Sequence, residues 1–75
     1  MQDPLVVLQV GDAYFFRAQA RVKSGVINSH YDVLNVFKEL EKAISIYSIS
    51  NDPAAIEKKN IVKQVLRELK ATYYK

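Results

Sequence analysis

Apolar residues recur three and four positions apart along three stretches of the chain, the spacing of one helical face. In the first stretch Val7, Val10, Gly11, Tyr14, Phe15, Ala18 and Val22 share a side, with Leu8 at its edge, and Gln9, Asp12, Gln19 and Lys23 lie opposite. Asp3-Pro4 supplies a capping carboxylate and a ring suited to the first helical turn, and Ser24-Gly25 supplies a stop. The pattern predicts a helix over about 4–23.

In the second stretch Val33, Val36, Phe37, Leu40, Ala43, Ile44 and Tyr47 keep the helical period. Asn28 or Ser29 is placed to cap it, with Asp32 three residues after Ser29, as in a capping box. Val26 and Ile27, in the preceding link, are expected to cover the end of the core. The segment Ile44 to Ile49 alternates like a strand and is rich in β-branched residues, so the end of this helix, near residue 48, is the least defined.

Ser50-Asn51-Asp52-Pro53 is the clearest boundary, with Asn or Asp as cap and Pro53 opening a third helix over about 53–74. Its apolar face is expected to carry Ile61, Val62, Val65, Leu66, Leu69 and Tyr73. Three helices of similar length with short links predict an all-α fold, an antiparallel three-helix bundle, occupying residues 1–75 as one domain. The expected setting is a larger intracellular protein, in cytoplasm or nucleus, from which this domain is a piece.

Composition narrows the chemistry. The chain has 75 residues, 49% of them hydrophobic and 25% charged, with two Gly and two Pro, which excludes disordered and collagen-like classes. A domain this small buries roughly 60% of its unfolded surface, so most apolar positions must serve the core. There is no cysteine, so disulfides, thiolate metal sites and a Cys nucleophile are excluded. No apolar run approaches the ~20 residues of a membrane span. His30 is the only histidine and falls at a helix start, so no His-based metal cluster or catalytic triad can be assembled, and no glycine-rich phosphate loop is present. Gly11 lies on the core face, where close helix packing accounts for it. These observations predict a protein that is not an enzyme and needs no cofactor and no metal.

Charge is unevenly spread. Residues 1–51 carry five basic and five acidic side chains, so the net charge of +3 belongs to residues 52–75. Lys59, Lys63, Arg67, Lys70 and Tyr74 form one stripe along the third helix, opposite its Val62-Val65-Leu69 face. Five apolar residues fall outside the core faces. Leu5 and Phe16 lie among the polar residues of the first helix, and Leu34 lies beside Lys38 and Glu41 on the second, while Tyr31 and Ile49 occupy a third sector. Such residues suit a secondary groove rimmed by charge.

Gly11-Asp12-Ala13-Tyr14 resembles the first helix of a tetratricopeptide unit, and Ala43-Ile44 with Tyr47 resembles its second, although the link between them is longer than that repeat uses. The microtubule-interacting-and-transport domain is similar in length and helix number, and its Tyr-containing turn is loosely echoed by His30-Tyr31-Asp32. Asp12-Ala13, Val22-Lys23, Tyr31-Asp32, Val36 with Lys38, and Ile61-Val62 with Val65 and Leu69 resemble the paired amphipathic helix domains of transcriptional corepressors, without their fourth helix. All three resemblances imply recognition of short, commonly helical peptides between helices. The resulting expectation is a non-catalytic protein-interaction module whose partner is another protein, contacted through a short helical or acidic motif. Leu5, Phe16 and Leu34 would be its apolar contacts, and Lys63, Arg67 and Lys70 the contacts to acidic residues. The alternatives are nucleic-acid or anionic-surface binding through the last helix, and a homodimer.

Overall fold

The structure, a computed structural model, describes residues 3–25 and 29–73. Three helices follow one another, α1 (Pro4–Lys23), α2 (His30–Tyr47) and α3 (Pro53–Tyr73), with no strand among the described residues. The all-α three-helix bundle expected from the periodicity is the fold.

Each boundary has a local cause. Asp3 caps α1, its Oδ1 accepting from the Leu5 N–H at 2.9 Å. Gly25 ends that helix with φ of 72°, the left-handed conformation that glycine adopts without strain. Ser29 caps α2, its Oγ accepting from the Asp32 N–H at 3.3 Å. Of the two capping residues offered by the sequence, Asn28 lies outside the described residues, as do Val26, Ile27 and Tyr74. At the other end of α2 the alternating segment does not form a strand: the helix closes at Tyr47, Ser48 Oγ donates to the Ile44 carbonyl at 2.8 Å, and Ile49 is exposed in the turn. Asp52 Oδ1 accepts from the Ala54 N–H at 2.8 Å, so Asp52 rather than Asn51 starts α3.

The bundle is built around α2, which packs against both neighbours, while α1 and α3 meet only sparsely. Contacts running Asp12 to Tyr47 and Arg21 to Glu39 make α1 and α2 antiparallel. The core cluster takes Ala18 from α1, six residues from α2 (Val33, Val36, Phe37, Leu40, Ala43 and Tyr47), and Val62 and Leu66 from α3. Three residues expected in the core lie outside it: Val10, Ile61 and Tyr73 are each more than two-fifths exposed. Val10 sits at the margin of the apolar arc of α1, Tyr73 ends α3, and Ile61 stands on the flank of α3 that faces α1, where no close neighbour covers it. In their place α3 buries Ala55 completely against the rest of the bundle.

Candidate functional site

The face of α2 toward α1 is read from residues four apart. Glu39, Ala43 and Tyr47 recur at that spacing, with Glu39 meeting Arg21 and Tyr47 meeting Asp12. Between these anchors the helices come close. A Cβ built on Gly11 would stand 2.8 Å from Cδ1 and Cζ of Tyr47, well inside contact distance, so the glycine exists for this approach. That agrees with its expected packing role. Arg21 Nε comes within 2.6 Å of Glu39 Oε1 but without hydrogen-bond alignment, and Glu39 Oε2 is buried without a hydrogen-bond partner.

The other side of α1 is open. Lys58, Ile61, Val65 and Leu69 recur along α3 at spacings of 3, 4 and 4 and form the α3 wall of a seam opposite α1. Two depressions occupy the seam. One, of about 170 Å³, lies between Phe15 and Phe16 of α1 and Ile61 of α3, with Asp12 and Lys58 beside it. The other, of about 150 Å³, lies between Ala18 and Val22 of α1 and Val65 and Leu69 of α3, with Leu40 of α2 as its floor and Gln19 and Lys23 at its rim. From Asp12 to Val22 the seam runs for about 15 Å, at roughly 1.5 Å of rise per residue. The Phe15 and Phe16 rings stack with centroids 6.1 Å apart, which holds Phe16 beside the cleft although it is 59% exposed.

One polar cluster spans the seam. Lys58 Nζ donates to both carboxylate oxygens of Asp12, at 3.0 and 2.8 Å, and the Tyr47 hydroxyl donates to Asp12 Oδ1. Burial, then the hydrogen bond and the charge of Asp12, hold the Tyr47 phenol well above its ordinary pKa, so it stays protonated. Sequence reasoning places Asp12 opposite the core and misses this cluster. The signal is nonetheless present: a tyrosine on a core face needs a partner for its hydroxyl, and Asp12 is next to the glycine that admits the ring.

The six residues singled out from the sequence do not share one surface. Leu5 and Phe16 lie on the α3-facing flank of α1 with Asp12, Gln19 and Lys23, so both border the seam or its extension toward the start of α1. Lys63, Arg67 and Lys70 lie on the opposite flank of α3, since Lys70 Nζ stands 5.9 Å from the Phe37 ring centroid and 4.0 Å from Glu41 Oε1 of α2. Leu34, seven residues before Glu41, shares that second surface. His30 is exposed at the start of α2. No group of three or more His, Cys, Asp or Glu able to hold a metal ion occurs among the described residues, and no helix among them is long and apolar enough to cross a membrane. Compared with family models, with curated proteins and with solved structures, the chain matches none.

Proposed function

We propose that the α1/α3 seam receives an amphipathic helical peptide about three turns long, making the domain a non-catalytic protein-interaction module. The observation that carries this reading is the gap between α1 and α3. Two apolar depressions stand in line there, one floored by Leu40 and the other edged by the exposed Phe16 and Ile61. A helix presenting apolar residues at i, i+3 or i+4, and i+7 places successive side chains in the two depressions. The Asp12–Lys58 pair closes one end and sets the register, so the occupant extends toward Lys23 and Leu69.

The test is selection from a library of helical peptides of about 12 residues, followed by direct binding measurements on the enriched sequences. Enrichment of apolar residues at that period, with binding lost in Ile61→Asp, supports the seam. Enriched peptides that lack the period, or that bind Ile61→Asp as well as wild type, would refute it.

A further inference from the structure

Four exposed apolar residues, Tyr31, Leu34, Ile49 and Ile56, gather at the outer face shared by α2 and α3 together with cations, while Val6 and Val10 are exposed on α1 without such a setting. On α2, Tyr31, Leu34, Lys38, Glu41 and Ser45 recur at spacings of 3, 4, 3 and 4. On α3, Ile56, Lys59, Lys63, Arg67 and Lys70 recur at spacings of 3, 4, 4 and 3. The Lys70–Glu41 contact aligns the two rows. This face therefore holds five cations and one carboxylate, a larger positive excess than the +3 of the whole chain. Lys38, Lys59, Lys63 and Arg67 form no salt bridge among the described residues, and the remaining acidic residues of α3, Glu57 and Glu68, fall on other sides of that helix.

The ends of the face are apolar. Ile49 and Ile56, 59% and 42% exposed, flank the turn between α2 and α3. Tyr31 and Leu34, 72% and 36% exposed, lie at the opposite end, in the first two turns of α2. The cations from Lys59 to Lys70 span about 17 Å between these ends, at roughly 1.5 Å per residue. A nucleic-acid duplex would use the cations but offers its phosphate backbone to the aliphatic ends. An anionic bilayer uses both: phosphate and carboxylate headgroups meet the cations while Leu and Ile side chains enter the boundary of the acyl region. We infer that the outer α2/α3 face is a docking surface for an anionic lipid bilayer, on which the domain lies with α2 and α3 parallel to the membrane plane. The inference is independent of the seam, which lies on the other flank of α3.

The experiment is cosedimentation of the full chain with phosphatidylcholine vesicles, with and without about 30% phosphatidylserine, at low and physiological salt, with a short DNA duplex as a separate arm. Binding should require phosphatidylserine and fall as salt rises. Lys63→Glu with Arg67→Glu should weaken it at least thirtyfold, following from about 1 kcal/mol per basic residue near the surface. Leu34→Ser and Ile56→Ser should each weaken it about tenfold at unchanged charge, and Ile61→Ser, in the seam, should not. Circular dichroism checks each variant; if a charge reversal loses helicity, Lys63→Gln with Arg67→Gln replaces it, and the salt series on the wild type needs no variant. No binding to anionic vesicles at low salt, equal binding to neutral ones, or indifference to both Leu34→Ser and Ile56→Ser would each overturn the inference. So would a duplex binding more tightly than the vesicles, which would assign the face to nucleic acid.

Discussion

The two sides of α1 differ in how closely they let a neighbour approach. Toward α2 it presents Gly11 and Ala18, both buried, and α2 answers with Ala43, Leu40 and the full ring of Tyr47. Toward α3 it presents Phe15, Phe16 and Gln19, and α3 answers with Ile61, Val65 and Leu69. Small residues against large ones close the first interface to packed density; large against large props the second apart, and one ion pair bridges it. The difference shows how a chain of 75 residues can bury a continuous core and still keep an apolar cleft. The core is formed by α2 with each neighbour in turn, and the third pairing is left incomplete.

Truncating one leucine in the closed core and one at the seam tests the difference directly. Leu40 is fully buried under both outer helices, so Leu40→Ala should cost about 2–5 kcal/mol and come close to unfolding so small a domain. Leu69 is only partly buried at the edge of the seam, so Leu69→Ala should cost about 1 kcal/mol. Urea titration followed by circular dichroism measures both. Equal losses would mean that the seam is packed as tightly as the core.

Gly11→Ala probes the closed side alone. Replacing a helical glycine ordinarily gains up to about 1 kcal/mol. Here the new methyl would overlap the Tyr47 ring, and that ring is wholly buried and has no space to yield. The clash outweighs the propensity, and a net loss of about 1–3 kcal/mol is expected. A variant as stable as wild type would show that α1 and α2 can separate at this level without cost.

Tyr47→Phe has a smaller effect and carries a pH signature. The variant loses the hydrogen bond to Asp12, which retains Lys58, for about 1 kcal/mol. The raised pKa of the folded tyrosine means that its neutral form stabilises the fold fully below the unfolded value of about 10. That contribution is lost as pH rises above it, because only the unfolded tyrosine ionises readily there. The gap between wild type and variant should therefore narrow above about pH 10 in parallel denaturation curves. A constant gap would remove Tyr47 from the alkaline transition.

Most of the fold is legible in the sequence because its cues are local. Asp3-Pro4, Ser24-Gly25, Ser29 and Asp52-Pro53 each act within one turn, and all mark observed helix ends. The buried face of α2 is legible for a related reason: a central helix buries a broad arc, so small errors of rotation do no harm. The flanks of α1 and α3 are different. Periodicity tells which residues share a side of one helix, but not which neighbour that side meets. Ile61 thus reads as core and Asp12 as solvent-facing, whereas both border the seam. Phe16 and the cations Lys63, Arg67 and Lys70 read as contacts to one partner for the same reason, and only the relative rotation of the helices separates them onto two surfaces.

That separation sets the last and least disruptive test. Phe16 is exposed and contributes its stacking on Phe15 but little core area, so Phe16→Ala should change stability by less than about 1 kcal/mol. If the seam holds a helical peptide, the same change removes an aromatic from the edge of the cleft and should weaken a selected peptide by about 2 kcal/mol, near thirtyfold. Lys63→Glu with Arg67→Glu should leave that affinity within about threefold, because both side chains stand on the far flank of α3 and act only through screened, long-range charge. Isothermal titration with one selected peptide measures both variants. The opposite ranking, with the charge reversal severe and Phe16→Ala neutral, would move the peptide off the seam and onto the α2/α3 face. Unfolding of Phe16→Ala would instead show that the aromatic pair props α1 away from α3, and the cleft would then be a consequence of the stacking rather than a site kept open beside it.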